Sequence, residues 1–222
     1  MRSRPALVMD TRDQARIAAA LERWPEREGF VGYRTRAFVY LLWDGALRTG
    51  SAIALNIEEV VRDSVGSRIH VVEQATLRAC EANRYLPRSF EMTERARAAI
   101  ADYLKVARKE GCLLGERLKG PLWIASHPHG VQQRMGQRTA VQAWHTFISA
   151  VNGLSRDDLQ LDDVVLTGRV AFAKAANSSS ELISAHTGVR SRAAARYSEH
   201  LAPQSRTRDV ISQLNQQHKR KA

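Results

Sequence analysis

The distribution of apolar positions along the chain is helical at both ends and strand-like in between. Apolar residues recur at helical spacing after Thr11, whose Thr-x-x-Gln pattern predicts a capping box. Pro25 and Gly29 interrupt this pattern, and a second helix is predicted over 35–50. The same spacing predicts a long helix over 93–109.

Short segments with alternating or continuous apolar residues predict three strands, over 68–74, 84–90 and 122–125. From residue 138 onward the pattern is helical again. Five further helices are predicted there, over 139–152, 164–176, 181–187, 193–201 and 207–218. The order of helices, a small antiparallel three-stranded sheet and more helices predicts a mostly helical α+β fold.

The length of 222 residues is enough for one good-sized domain with its own core. Hydrophobic residues make up 44% and charged residues 26% of the chain, which excludes a wholly disordered protein. No apolar run approaches the roughly 20 residues of a membrane span, and the first residues do not resemble a signal peptide. Cys80 and Cys112 form no disulfide framework, so we expect a cytoplasmic protein without membrane contact.

The charge of the chain narrows its possible partners. The formal net charge is +11, and 28 of the 34 basic residues are arginines. The planar guanidinium group suits bidentate phosphate contacts better than the ammonium group of lysine. A nucleic acid is therefore the favoured partner, and the alternative is a cationic surface that serves only solubility.

Three segments contain the residues that point to a chemistry. Gly-Ala-Leu-Arg ends at Arg48, Leu-Thr-Gly-Arg-Val-Ala-Phe-Ala surrounds Arg169, and a turn at Gly188 precedes Tyr197. In this order and at this spacing they resemble the catalytic boxes of the tyrosine recombinases, the phage-integrase and Xer-type enzymes. The resemblance covers about residues 10–200.

The resemblance implies a DNA-binding site-specific recombinase or integrase that acts on double-stranded DNA. Tyr197 would attack a phosphodiester and form a 3′-phosphotyrosyl intermediate. Arg48 and Arg169 would hold the phosphoryl oxygens and stabilise their developing charge. The family uses no metal and no cofactor, and no small-molecule substrate is implied.

The chain departs from the family at the groups that transfer protons. Ala75 stands where the family has a lysine that acts as general acid. Leu166 stands where the family has a histidine, and Val189 where it has a histidine or a tryptophan. The first alternative is therefore an inactive recombinase-like DNA-binding regulator or accessory protein. The second is a basic RNA-binding protein, in which Arg48, Arg169 and Tyr197 would not cluster. Three groups are candidates to replace the missing ones: His186, His200 and Arg78.

Residues 1–205 are expected to form the recombinase-like catalytic domain, and residues 206–222 a C-terminal helix and basic tail. In the family the C-terminal helix docks onto a neighbouring protomer, which implies self-association on DNA through Arg206–Lys221. The chain resembles the short single-domain recombinases, and a truncated or domesticated integrase is an equal alternative. Simpler roles are also open for the two arginines: Arg48 as a charge at a helix C-terminus, and Arg169 on a solvated helix face.

Overall fold

The computed structural model describes residues 5–62, 67–71, 88–113, 119–125, 133–155, 159–177 and 179–187. The predicted helices over 193–201 and 207–218, Ala75, Val189 and Tyr197 lie outside these ranges. The helices are α1 (Thr11–Asp44), α2 (Thr49–Ala54), α3 (Glu94–Lys109), α4 (Gln137–Ala150), α5 (Leu161–Ala175) and α6 (Ser180–Thr187). A single 3₁₀ turn (Ile57–Glu59) follows α2. The prediction of a mostly helical protein is confirmed, and none of the described helices is long and apolar enough to cross a membrane.

The first helix continues through the predicted break. Backbone angles at Gly29 are φ 55° and ψ −132°, so α1 is kinked there rather than ended. A residue with a side chain adopts this conformation only at a cost, whereas glycine adopts it readily. The predicted capping box at Thr11 is wrong: the N-cap is Asp10, whose carboxylate accepts a hydrogen bond from the Asp13 amide at 2.7 Å.

Three strands, β1 (Val60–Arg62), β2 (Ser67–Val71) and β3 (Arg88–Glu91), form an antiparallel sheet in the order β1-β2-β3. The register pairs Val60 with Ile69, and Ile69 with Phe90. The strand predicted over 122–125 is wrong, because this segment makes only isolated bridges, such as that between Ile124 and Arg134. This segment is apolar because it runs through the core. The sequence pattern of such a buried segment does not differ from that of a buried strand.

The second half of α1 lies at the centre of the core. Its residues from Ala37 to Trp43 are all buried, and α3, α4 and α5 pack around it. Trp123 is fully buried against it, with its ring 5.2 Å from the ring of Phe38 in an edge-to-face arrangement. The ring of Tyr103 stacks on Trp123 with a centroid distance of 5.6 Å. These aromatic contacts join α1, α3 and the 122–125 segment into one packed unit.

One arginine lies inside this core. Arg34 is only 2% exposed, and its Nη1 donates to the carbonyl oxygen of Ile124 at 2.6 Å. Burial lowers the pKa of this guanidinium below its usual value. The hydrogen bond fixes the start of the second half of α1 to the 122–125 segment.

Helix α5 approaches the end of α1 so closely that only glycine fits at the contact. A Cβ atom at Gly168 would lie 1.8 Å from the carbonyl oxygen of Trp43. Hydrogen bonds hold the same helix to the N-terminal segment, since the amide of Met9 donates to Oγ1 of Thr167 at 2.9 Å. Arg169 follows directly after this contact, so the position of its side chain depends on it.

We expect Gly168→Ala to destabilise the protein by about 2–3 kcal/mol, because the added methyl group must push α5 away from α1. Urea unfolding measures this change. Gly50→Ala is the matched control: a Cβ there meets nothing within 4 Å, and alanine favours helix by up to about 1 kcal/mol. Equal effects of the two substitutions would contradict the close contact.

The buried phenol of Tyr103 predicts a loss of stability at alkaline pH. Burial, the largest cause, raises its pKa to about 12, and its oxygen accepts a hydrogen bond from the Ile124 amide at 3.0 Å. Because the fold favours the neutral phenol, this stability is complete below pH 10 and is lost between about pH 10 and pH 12. The loss is on the order of 2 kcal/mol from this residue.

Urea unfolding of the wild type and of Tyr103→Phe at several pH values measures this loss. We expect the free energy of unfolding to fall less steeply with rising pH in Tyr103→Phe, because this variant has one group fewer that releases a proton in this range. Burial also raises the pKa of Tyr40, which adds to both slopes, so their difference is the relevant quantity. Identical slopes would show that Tyr103 does not titrate in this window.

Candidate functional site

The five residues 44–48, from the last residue of α1 to the residue before α2, are called the arginine loop here. Helix α1 ends at Asp44, where the amide of Gly45 donates to the carbonyl of Leu41 at 3.0 Å. Ala46 then takes a left-handed conformation with φ 51°, which turns the chain. Arg48 is half-buried and is the N-cap of α2, so the helix predicted over 35–50 is confirmed only as far as Asp44. Arg48 lies four residues after the last residue of α1, beyond the last turn, which has no basic residue.

Arg169 reaches the arginine loop from α5. Its Nε donates to the carbonyl oxygen of Ala46 at 3.4 Å, and the side chain is half-buried. The alternative that Arg169 only occupies a solvated helix face is therefore wrong. Two arginines that are 121 positions apart in the sequence thus belong to one neighbourhood, since Ala46 is two residues from Arg48.

The side chain of Asp44 anchors the loop to the start of α3. Nε of Arg95 donates to this carboxylate at 2.7 Å, and Nη2 of Arg95 and Oγ1 of Thr93 donate to it as well. The hydrogen bonds to Asp44 are the largest cause of the raised pKa of Arg95. The guanidinium also lies over the ring of Trp43, at 5.1 Å, so one cation joins α1 and α3.

The main-chain carbonyl of Asp44 has a separate partner on α6. Nε2 of His186 lies 3.0 Å from this oxygen, and the imidazole stacks on Phe172 with ring centroids 3.7 Å apart. A carbonyl oxygen only accepts, so Nε2 carries the proton and donates. This nitrogen cannot act as a general base while it holds this contact.

The far end of α2 is fixed by the core. The indole nitrogen of Trp123 donates to the Ala52 carbonyl at 2.6 Å. The guanidinium of Arg134 donates to three consecutive carbonyls at the end of α2, those of Ile53, Ala54 and Leu55, at 2.8, 2.6 and 2.9 Å. These contacts satisfy the carbonyls that a short helix leaves without partners. Because these contacts fix the C-terminal end of α2, they also limit the movement of Arg48, the N-cap of the same helix.

The remaining predicted residues divide between described and undescribed parts of the chain. Leu166 is half-buried on α5, one turn before Arg169. Tyr197, Ala75 and Val189 lie outside the described residues, as do His200 and Arg78. Within the part of the chain that the structure describes, no group of three or more His, Cys, Asp or Glu residues is arranged to hold a metal ion.

The fold matches solved structures of site-specific recombinases. A XerH site-specific recombinase bound to palindromic difH substrate, in a post-cleavage complex, superposes with a TM-score of 0.69 at 10% identity over 94% of this chain. XerA recombinase gives 0.59 at 14% identity over 84%, and Tn1549 transposon integrase in complex with circular intermediate DNA gives 0.62 at 11% over 88%. The chain has the tyrosine-recombinase fold.

The likeness is one of fold and not of sequence. No protein-family model matches the chain, and no curated protein matches it. The chain spans 53% of the XerH chain, 57% of the XerA chain and 61% of the Tn1549 integrase chain. Within the recombinase fold, the arginine loop and α5 are the elements that contain Arg48 and Arg169.

No pattern in the sequence marks Asp44 and Arg95 as supports of the loop, and His186 was expected there as a candidate for proton transfer, not as a donor to a carbonyl. Asp44, Arg95 and His186 act through contacts between elements that are far apart in the sequence, the first two 51 positions apart. Gly168 did carry a recognisable pattern, because a glycine inside an apolar helix is typical of close helix packing.

We expect Asp44→Asn and Arg95→Gln each to destabilise the protein by about 1–2 kcal/mol, because each breaks a charge-assisted hydrogen bond. The double variant should lose little more than either single variant, with a coupling of about 1 kcal/mol. Urea unfolding of the four proteins checks this. Strictly additive losses would mean that the two side chains act independently.

Proposed function

We propose that this chain binds double-stranded DNA at the arginine loop, as a recombinase-like domain. The observation that carries the proposal is the contact of Arg169 with the loop that contains Arg48, inside the recombinase fold. Two of the neighbours with this fold are complexes, the XerH recombinase with its palindromic difH substrate and the Tn1549 integrase with circular intermediate DNA. The net charge of +11 supports an anionic partner.

In the proposed reaction, Arg48 and Arg169 bind the non-bridging oxygens of the scissile phosphate. Their guanidinium groups stabilise the negative charge that develops on these oxygens in the transition state. The hydroxyl oxygen of Tyr197 forms a bond to phosphorus, and the bond from phosphorus to the 5′-oxygen breaks. The products are a 3′-phosphotyrosyl link and a 5′-hydroxyl, and rejoining reverses these steps.

Proton transfer is where the chain departs from this scheme. The tyrosine must lose a proton and the leaving 5′-oxygen must gain one, and each such group contributes about 10²–10⁴-fold. Leu166 has an apolar side chain that cannot transfer a proton, and Nε2 of His186 is engaged with a carbonyl. These observations favour a second candidate function, a DNA-binding relative that does not cleave.

DNA affinity tests the binding part of the proposal. We expect Arg48→Ala and Arg169→Ala each to weaken binding to duplex DNA about tenfold, because each removes charge-assisted contacts to phosphate. Fluorescence anisotropy at low salt measures the dissociation constants. Arg97→Ala is the matched control, since Arg97 is an exposed arginine on α3. Equal weakening in all three variants would indicate general charge attraction and contradict a site at the loop.

Covalent trapping then separates the two functions. Nicked suicide duplexes tiled over the sequences that flank the coding region are mixed with the wild type and with Tyr197→Phe, and run on denaturing gels. A DNA-linked band that is lost in Tyr197→Phe supports the recombinase. Binding without any linked band, over the whole set of duplexes, supports the DNA-binding relative that does not cleave.

A further inference from the structure

His186 contacts Asp44, which is the last residue of α1 and the first residue of the arginine loop. The Asp44 carbonyl is one of the last carbonyls of α1, which have no partner within the helix. Nε2 of His186 supplies that partner at 3.0 Å. The C-terminal end of a helix carries partial negative charge, so an N–H donor there is favoured electrostatically.

The ring of His186 is itself held in place. It stacks nearly parallel on Phe172, with an interplanar angle of 5°. Phe172 lies on α5, three residues after Arg169. The same imidazole therefore contacts the helix that carries one arginine and the loop that carries the other.

The loop needs such support because of its backbone conformation. Ala46 has a φ of 51°, in the left-handed region that costs a residue with a side chain on the order of 1 kcal/mol. Such a conformation persists only when surrounding contacts hold it. Contacts that hold the loop to other helices include those of the Asp44 carboxylate with Arg95, the Ala46 carbonyl with Arg169, and the Asp44 carbonyl with His186.

We propose that His186 is a positioning residue for Arg48: it holds the arginine loop in the conformation that presents Arg48 to a DNA phosphate. The inference rests on the proposed function for its readout with DNA. This role requires no contact of His186 with DNA, since Nε2 acts on a carbonyl of the protein.

Two substitutions separate the hydrogen bond from the packing. His186→Leu keeps an apolar group against Phe172 and removes the donor. His186→Gln places an amide N–H at a similar reach to Nε2 and retains the donor. Leu182→Ala is the control on the same helix, because Leu182 is 56% exposed. Thermal unfolding of all three first establishes that each variant is folded.

The first measurement is hydrogen exchange of the amides in residues 44–52, followed by mass spectrometry. We expect exchange about tenfold faster in His186→Leu, and unchanged exchange in His186→Gln and Leu182→Ala. Unchanged exchange in His186→Leu would overturn the inference, because the loop would then be ordered without the histidine.

The second measurement is a double-mutant cycle on DNA affinity with His186→Leu and Arg48→Ala. We expect His186→Leu to weaken binding about fivefold in the wild type and very little once Arg48 is absent, with Gln restoring the affinity. Equal weakening in both backgrounds would overturn the inference. Absence of DNA binding by the wild type would overturn the proposed function, and the exchange measurement would still confirm or overturn the ordering of the loop by His186.

Discussion

The way in which α1 ends at Asp44 is the constraint on which the candidate site depends. A helix leaves its last carbonyls without partners, and a chain that then turns through a left-handed residue adds its own cost. Here the side chains of His186 and Arg169 supply hydrogen bonds to the carbonyls of this region. Arg95 compensates the charge of the Asp44 carboxylate. The site is therefore assembled from α3, α5 and α6 around one helix terminus.

Much of the helical architecture could be predicted from apolar periodicity. Helix α3 follows Thr93 as the pattern indicates, and Thr93 accepts from the Ala96 amide at 3.3 Å. The end of α1 was not predicted, because the apolar residues up to Leu47 continue the helical pattern past Gly45, which caps the helix. An alanine in the left-handed region leaves no mark in the sequence, whereas glycine would have done. The 122–125 segment shows the same limit, since burial makes a core segment as apolar as a strand.

For the site, the sequence patterns led to Arg48 and Arg169, and the structure places the second at the loop of the first. The supporting contacts could not be predicted because they join distant segments, and several of them pair a side chain with a main-chain oxygen. His186 illustrates the difference: as a sequence feature it was a candidate for proton transfer, and its geometry instead makes it a donor to a carbonyl. Strand cleavage needs both arginines that stabilise charge and groups that transfer protons. This chain has the two arginines, whereas Leu166 and His186 do not supply the proton transfer.

The hydrogen bonds that hold α2 and the arginine loop are made largely to main-chain oxygens, those of Asp44, Ala46, Ala52 and the three residues from Ile53 to Leu55. Every amino acid carries such an oxygen, so many side chains at the accepting positions leave the bond intact. The amino acids at these accepting positions can therefore change during evolution without loss of the hydrogen bonds, provided that the donors remain. A scaffold of this kind keeps its shape while its sequence diverges, which fits a shared fold at 10–14% identity.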